Sequence, residues 1–272
     1  MRPTLEWAVP LALGRIRHLL IDLDGVLYRG NTALPGAQEF IAFLRRKGIP
    51  FRLVTNNSSR TPEQAVQKLA GIGIEAQAGE IFSSALATGI YLREHVDGTE
   101  TAQVVGEAGL RQAVEKSGLR LVEEGGDWVV VGLDRKATYE MLARAALALE
   151  GGARFVGSNP DSSFPTERGL VPGAGALLAA LVTTTGREPT VIGKPHPLLL
   201  ELAMKDCGGT LNDTAMLGDR LDTDIAAAER IGMKSILILT GVSTRSDLEK
   251  TSTPPDLVVE NLQQLMDAWA RA

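Results

Sequence analysis

A lone cysteine among 272 residues, Cys207, leaves no internal disulfide to form, and such sparing use points to a reducing, cytoplasmic setting. Long apolar runs are missing as well. The longest, 174–182, has nine residues, less than half of the ~20 that a membrane-crossing helix needs. It reads as a buried helix segment, and no membrane partner is expected. A shorter apolar run at 7–14 follows Arg2 in the manner of a faint signal peptide, broken by Glu6 and Pro10. An excess of basic residues is lacking too. Lys and Arg number 28 against 33 Asp and Glu, a net charge of −5, which argues against a broad nucleic-acid-binding surface. The 29 glycines and 13 prolines make up about 15% of the chain, too few for a low-complexity or collagen-like polymer. What is present is a chain that is 44% hydrophobic, enough to bury one large core or two smaller ones.

Apolar runs of strand length alternate with amphipathic helical stretches, the pattern of an α/β protein with a parallel sheet. Strands are expected at 17–22, 50–55, 80–84, 103–106, 127–132, 153–157, 189–193, 214–218, 234–239 and 257–259. Helices are expected at 36–47, 62–70, 85–95, 108–117, 137–150, 173–184, 197–206, 222–231 and 261–271. Gly48 stops the first helix, and Thr61 with Pro62 opens the second.

Four of these strands end in residues that carry chemistry. Leu-Leu-Ile runs into Asp22-Leu23-Asp24-Gly25, and Arg-Leu-Val runs into Thr55-Asn56-Asn57-Ser58. Val-Ile-Gly ends at Lys194, and Ala-Met-Leu-Gly218 ends at Asp219-Arg220-Leu221-Asp222-Thr223-Asp224. Ligands of open parallel sheets bind outside the carboxyl ends of the strands. If the four strands are neighbours, several carboxylates, one ammonium and a set of hydroxyl and amide groups share one pocket. Two like charges about 4 Å apart repel by roughly 4 kcal/mol at an effective dielectric of 20, and a divalent cation removes most of that cost. Hard oxygen ligands without a His or Cys cluster favour Mg2+ over zinc. Such a pocket suits a phosphoryl group, and a carboxylate is a competent nucleophile toward phosphorus. Asp22 and Asp24, two apart on an extended segment, are expected to share a face. Gly25 lets the chain turn just after them.

The stretch Asp22-Leu23-Asp24-Gly25-Val26-Leu27-Tyr28 resembles the first motif of the haloacid dehalogenase superfamily of phosphohydrolases. Thr55-Asn56-Asn57-Ser58-Ser59, Gly193-Lys194-Pro195 and Gly218-Asp219-Arg220-Leu221-Asp222-Thr223-Asp224 resemble its second, third and fourth. Gly132-Leu133-Asp134-Arg135, Asn159-Pro160-Asp161 and Phe164-Pro165-Thr166-Glu167 narrow the likeness to the NagD-type, p-nitrophenylphosphatase-like branch, subfamily IIA.

The resemblance implies a Rossmann-like three-layer core with a parallel sheet, formed by 1–84 and 178–272, and an inserted α/β type-2 cap at 85–177. It implies a Mg2+-dependent phosphatase acting on small phosphate monoesters such as a nucleoside monophosphate or a sugar phosphate. By that likeness Asp22 is the nucleophile and a metal ligand, and Asp24 is the general acid and then base, its carbonyl also on the metal. Thr55, Asn56, Asn57 and Lys194 hold the phosphate, Asp219 ligates the metal, and Asp224 stands one layer further out. Asp134, Arg135, Asn159 and Asp161 are candidate cap residues for choosing the leaving group. The partner implied is a small phosphorylated metabolite rather than nucleic acid or membrane, with a homodimer also in keeping with the family.

Blander readings stand beside these. Asp222 and Asp224 fit an N-cap and first-turn acid of helix 222–231, and Thr55-Asn56-Asn57 fits turn chemistry. His196 reads as a rim residue, His18 and His95 as solvated or packed, and Cys207 as inert. Two other functions use similar parts: a phospho-acceptor domain with a long-lived aspartyl phosphate, and a nucleotide-binding module. The acid/base Asp24 and the cap-sized insertion speak against the first, and the missing G-x-G-x-x-G after the first strand against the second.

Overall fold

The structure, a computed structural model, describes residues 12–166 and 168–271. Positions 7–11 of the apolar N-terminal run and Glu167 of the Phe-Pro-Thr-Glu stretch lie outside the described residues. The chain forms two compact units, one comprising Met1–Val54, Lys68–Ala76 and Leu200–Ala272, the other Thr55–Gln67 and Gln77–Leu199.

The first unit is built on a parallel sheet. Its strands lie in the order Leu257–Val259, Lys234–Ile238, Thr214–Gly218, His18–Asp22 and Phe51–Thr55. Leu19, Leu20 and Ile21 are wholly buried, as are Ala215, Met216 and Leu217 on the neighbouring strand. That explains why these strands read as continuous apolar runs rather than alternating ones. Ile21 pairs with Leu217 and Asp22 with Val54, so the carboxyl ends of the strands come level. Helix Ala37–Lys47 buries Phe40, Ile41 and Leu44 and stops at Gly48 in a left-handed conformation. Its Phe43 meets Trp269 of helix Leu262–Ala270 with ring centroids 6.4 Å apart.

The second unit has its own parallel sheet. Strands Thr190–Val191, Arg154–Gly157, Trp128–Val131, Thr101–Val105 and Arg120–Val122 lie in that order. Val105, Val129, Val131 and Phe155 pack against Ala145 and Leu149 of helix Tyr139–Glu150 and Leu178 and Leu181 of helix Ala174–Thr185. The apolar run 174–182 therefore lies in a helix whose inner side is core, as its composition implies.

Most strands and helices fall where the periodicity places them, with differences at the ends. Several short elements carry no periodic signal: the hairpins Tyr28–Arg29 with Thr32–Ala33 and Ser163–Thr166 with Gly169–Pro172, the strand Arg120–Val122 and the helix Arg245–Leu248. Helix 222–231 also needs correction. It opens with a wide π-helical turn, Leu221–Ile225, and only Ala226–Arg230 is α-helical. The cause is local, because Ile225 N–H donates five residues back to the Arg220 carbonyl at 3.2 Å. Asp222 does not cap it; its carboxylate is held by the Arg220 guanidinium at 3.0 and 2.7 Å.

Candidate active site

Asp22, the last residue of its strand, Asp219, the first after Thr214–Gly218, and Asp224 in the π turn each offer one carboxylate oxygen. These oxygens lie within 4.8 Å of one another. Asp22 is half-buried, and Asp219 and Asp224 are each 1% exposed. Three carboxylates this close and this poorly hydrated are unfavourable by several kcal/mol. Neighbouring backbone relieves part of the cost. Val242 N–H donates to Asp219 Oδ2 at 2.7 Å, and Arg220 N–H donates to Asp224 Oδ2 at 3.1 Å. The remainder fits a divalent cation, because the set is hard oxygen with no imidazole or thiolate.

Glycines make the cluster possible. A β-carbon on Gly25 or Gly241 overlaps the Asp219 carboxylate, and one on Gly218 overlaps Asp224. Gly25 also has φ +85°, which side-chain-bearing residues rarely adopt. The loop that follows Lys234–Ile238 closes the arrangement. Thr240 Oγ1 donates to the Gly25 carbonyl at 2.7 Å, and Ser243 Oγ accepts from Leu221 N–H at 3.0 Å. Thr240, Gly241, Val242 and Ser243 escaped the sequence reading, although a glycine just past the end of a buried parallel strand was an available signal.

Asp24 leaves the strand. It forms an isolated bridge with Tyr28, and Gly25 N–H donates to the Tyr28 carbonyl at 2.7 Å. The Asp24 residue keeps an open surface, yet the protein around its carboxyl disfavours the charged form and raises its pKa. The cations Lys68 and Arg29 oppose that shift without cancelling it. Lys68 Nζ sits 3.8 Å from the centroid of the Tyr28 ring.

The second unit gathers another group. Asn56 is bonded to Lys194 twice: its Oδ1 accepts from Lys194 N–H at 2.8 Å, and its Nδ2 donates to the Lys194 carbonyl at 2.8 Å. The same Nδ2 donates to Asp161 Oδ1 at 3.1 Å, and Asn159 Nδ2 donates to the Asn56 carbonyl at 2.8 Å. Lys194 is buried at 2% exposure and Asn159 at 3%. Thr55 and Asn57 are occupied by turn chemistry. Thr55 Oγ1 accepts from Asn57 N–H at 3.1 Å, and Asn57 Oδ1 accepts from Ser59 N–H at 2.9 Å and Ser59 Oγ at 2.7 Å.

Asp134 and Arg135 are engaged elsewhere in this unit. The Arg135 guanidinium grips Glu107 at 2.7 and 2.6 Å, holding the Glu107 carboxyl below its usual range. Asp134 Oδ1 accepts from Lys136 N–H at 2.9 Å. His95 Nδ1 bonds the Tyr91 carbonyl at 2.7 Å and stacks on the Tyr91 ring, and His18 lies 3.4 Å from Asp213. Cys207 is buried, and burial pushes its thiol up to about 11.

Fold and cluster together define a class: a parallel α/β enzyme whose strand-end carboxylates suit cation-assisted group transfer. Comparison with known proteins makes this specific. Residues 19–120 match the family described as haloacid dehalogenase-like hydrolase, and 191–265 match one described as HAD-hydrolase-like. The chain is 41% identical over 245 residues to the 5'-nucleotidase YutF of Bacillus subtilis, covering 90% of this chain and 95% of that protein. It is 43% identical over 246 residues to an acid sugar phosphatase of Staphylococcus aureus, with the same coverage of 90% and 95%. Among solved structures, 4-nitrophenylphosphatase from Thermotoga maritima superposes with a TM-score of 0.89 at 36% identity, covering 94% of this chain and 98% of that one. NagD from Escherichia coli K-12 gives 0.86 at 34% identity, covering 91% and 97%. The chain belongs to the haloacid dehalogenase-like hydrolase family, in its NagD and p-nitrophenylphosphatase branch, and is a phosphoric monoester hydrolase. The expected Rossmann-like core with a parallel sheet and an added α/β cap is the architecture of these matched phosphatases.

Proposed function

We propose that this enzyme is a Mg2+-dependent phosphatase that cleaves small phosphate monoesters through a phosphorylated Asp22. The observation that carries the reading is the convergence of Asp22, Asp219 and Asp224 oxygens within 4.8 Å at the strand ends. Asp22, Asp219 and the Asp24 carbonyl are the proposed ligands, with Asp224 supporting them. Bound Mg2+ supplies positive charge against the phosphoryl oxygens.

The protein's own residues do the rest. The Asp22 carboxylate attacks phosphorus, the P–O bond to the leaving group breaks, and Asp24 gives its proton to the departing oxygen. Asp24, now ionised, takes a proton from water as that water attacks the phosphorus of the acyl phosphate. Inorganic phosphate leaves, and Asp22 is restored. The upward direction of the Asp24 pKa, caused by desolvation of its carboxyl, is the direction that the acid role requires. Thr55, Asn56, Asn57 and Lys194 are the proposed phosphate-holding groups.

Residues 85–177 are the proposed cap, which excludes water and selects the leaving group. The names of the relatives support a nucleoside monophosphate or a sugar phosphate as the substrate class. A homodimer in a reducing, cytoplasmic setting completes the reading.

The purified protein should hydrolyse p-nitrophenyl phosphate only with Mg2+ present, and Asp22→Asn should lower kcat at least about a thousandfold while the circular dichroism spectrum stays unchanged. Unaltered turnover in that variant refutes the assignment. An acyl phosphate that persists for minutes without turnover points instead to a phospho-acceptor.

A further inference from the structure

Lys194 is almost completely buried, and its backbone is gripped on both sides by a single side chain. Asn56 presents its carbonyl oxygen to Lys194 N–H and its amide nitrogen to the Lys194 carbonyl, each at 2.8 Å. A primary amide paired with both polar groups of one residue fixes that residue in place, because translation or rotation strains both bonds together.

The Asn56 side chain is itself held. Asp161 Oδ1 takes a hydrogen bond from Asn56 Nδ2 at 3.1 Å. A carboxylate accepts and cannot donate, so it selects the amide orientation with nitrogen toward it and oxygen toward Lys194 N–H. The Asn56 carbonyl accepts from Asn159 Nδ2 at 2.8 Å and from Ser84 Oγ at 2.6 Å.

The surrounding backbone is built to allow this approach. A β-carbon on Gly193 comes within 2.7 Å of Asn56 Oδ1 and 2.8 Å of the Asn159 Cβ. One on Gly173 or Gly175 overlaps the carbonyl of Asp161 or Pro160. Hydrogen bonds from Gly193 N–H to the Ser158 carbonyl and from Gly175 N–H to the Asp161 carbonyl, both at 2.9 Å, tie the same segments together.

We propose that Asn56 is a positioning residue for Lys194, and that Asp161 and Asn159 serve this bracket rather than selecting a leaving group. Asn56 thus has a task for its side chain in addition to any phosphate contact from its backbone. The inference rests on the reading of Lys194 as a phosphate-binding cation. A displacement of about 1 Å in such a group is enough to cost on the order of a hundredfold in rate.

The test is a double-mutant cycle on kcat/KM for p-nitrophenyl phosphate with saturating Mg2+, accompanied by the inhibition constant of inorganic phosphate. Lys194→Ala should lower kcat/KM about a thousandfold, and Asn56→Ala about a hundredfold. The Asn56→Ala, Lys194→Ala pair should fall no further than Lys194→Ala alone, because the bracket has nothing left to position. Phosphate should inhibit both single variants more weakly than the parent.

Multiplying losses, near 10⁵-fold in the pair by the product of those two estimates, overturn the positioning role and leave the phosphatase reading intact. Full activity in Lys194→Ala overturns the phosphatase reading of Lys194 itself. Should Asn56→Ala not fold, the Asp161 pair gives the same decision. Asp161→Ala should reduce activity and weaken phosphate inhibition, and Asp161→Asn, whose Oδ1 accepts the same bond, should restore both. Equal damage in the two Asp161 variants overturns the bracket.

Discussion

Gly25 stands against the carboxylate of Asp219 so closely that a single added carbon at position 25 collides with it. The glycine also holds φ +85°, so two independent physical requirements meet at one residue. Gly25→Ala forces either the backbone or Asp219 to move. A left-handed conformation costs a non-glycine residue about 1–2 kcal/mol, and the overlap adds to it. The variant should unfold at a lower denaturant concentration than the parent with an unchanged m-value. Any Mg2+-dependent rise in its Tm should shrink, because Asp219 is displaced. A variant as stable as the parent shows that the loop relaxes freely.

The acid cluster links cation binding to folding. A ligand that binds the folded state alone raises stability by about 2.7 kcal/mol at a hundred times its Kd. Mg2+ should therefore raise the Tm of the parent, while Asp219→Asn should abolish the rise. The asparagine keeps an oxygen for Val242 N–H, the bond that Asp219 now accepts at 2.7 Å, so the metal-free fold should be nearly unaffected. A Mg2+ shift that survives in Asp219→Asn removes Asp219 from the ligand set.

Cys207 offers a check that involves no catalysis. Burial pushes its thiol from 9.0 up to about 11, so at pH 8 the native thiolate fraction is about a hundredfold below that of the unfolded chain. Alkylation by iodoacetamide should be slow in the folded protein and rapid in urea. The sign of the stability linkage follows. The protonated native form contributes stability that is complete below pH 9 and is lost as pH rises toward 11. Cys207→Ala should lose that part of the alkaline dependence. Equal alkylation rates in the folded and urea-unfolded protein contradict the burial.

How much of this was legible beforehand differs from residue to residue. The strand ends were, because a buried parallel strand needs an unbroken apolar run, and the first polar residue after the run marks where it stops. His18–Asp22 and Thr214–Gly218 both obey that rule, which is why Asp22 and Asp219 stood out. Two-residue strands such as Tyr28–Arg29 were not legible, since so short a segment has no period. The Leu221–Ile225 turn misled for another reason: its composition is that of a capped α-helix, and the wider winding is chosen by bonds to the Arg220 carbonyl.

The sequence by itself determined which chemical groups end each strand, because covalent order and local hydrophobicity suffice for that. Only the tertiary structure decided which of them meet. Asp22 and Asp219 are far apart in the chain, and the parallel register brings their strand ends together. The partnership of Asn56 with Lys194, the charge of Arg135 being spent on Glu107, and the need for glycine at 25 and 241 beside Asp219 are likewise contacts between residues well separated in the chain. Their strength depends on distances of a few ångströms, and no periodicity of a linear sequence encodes such distances.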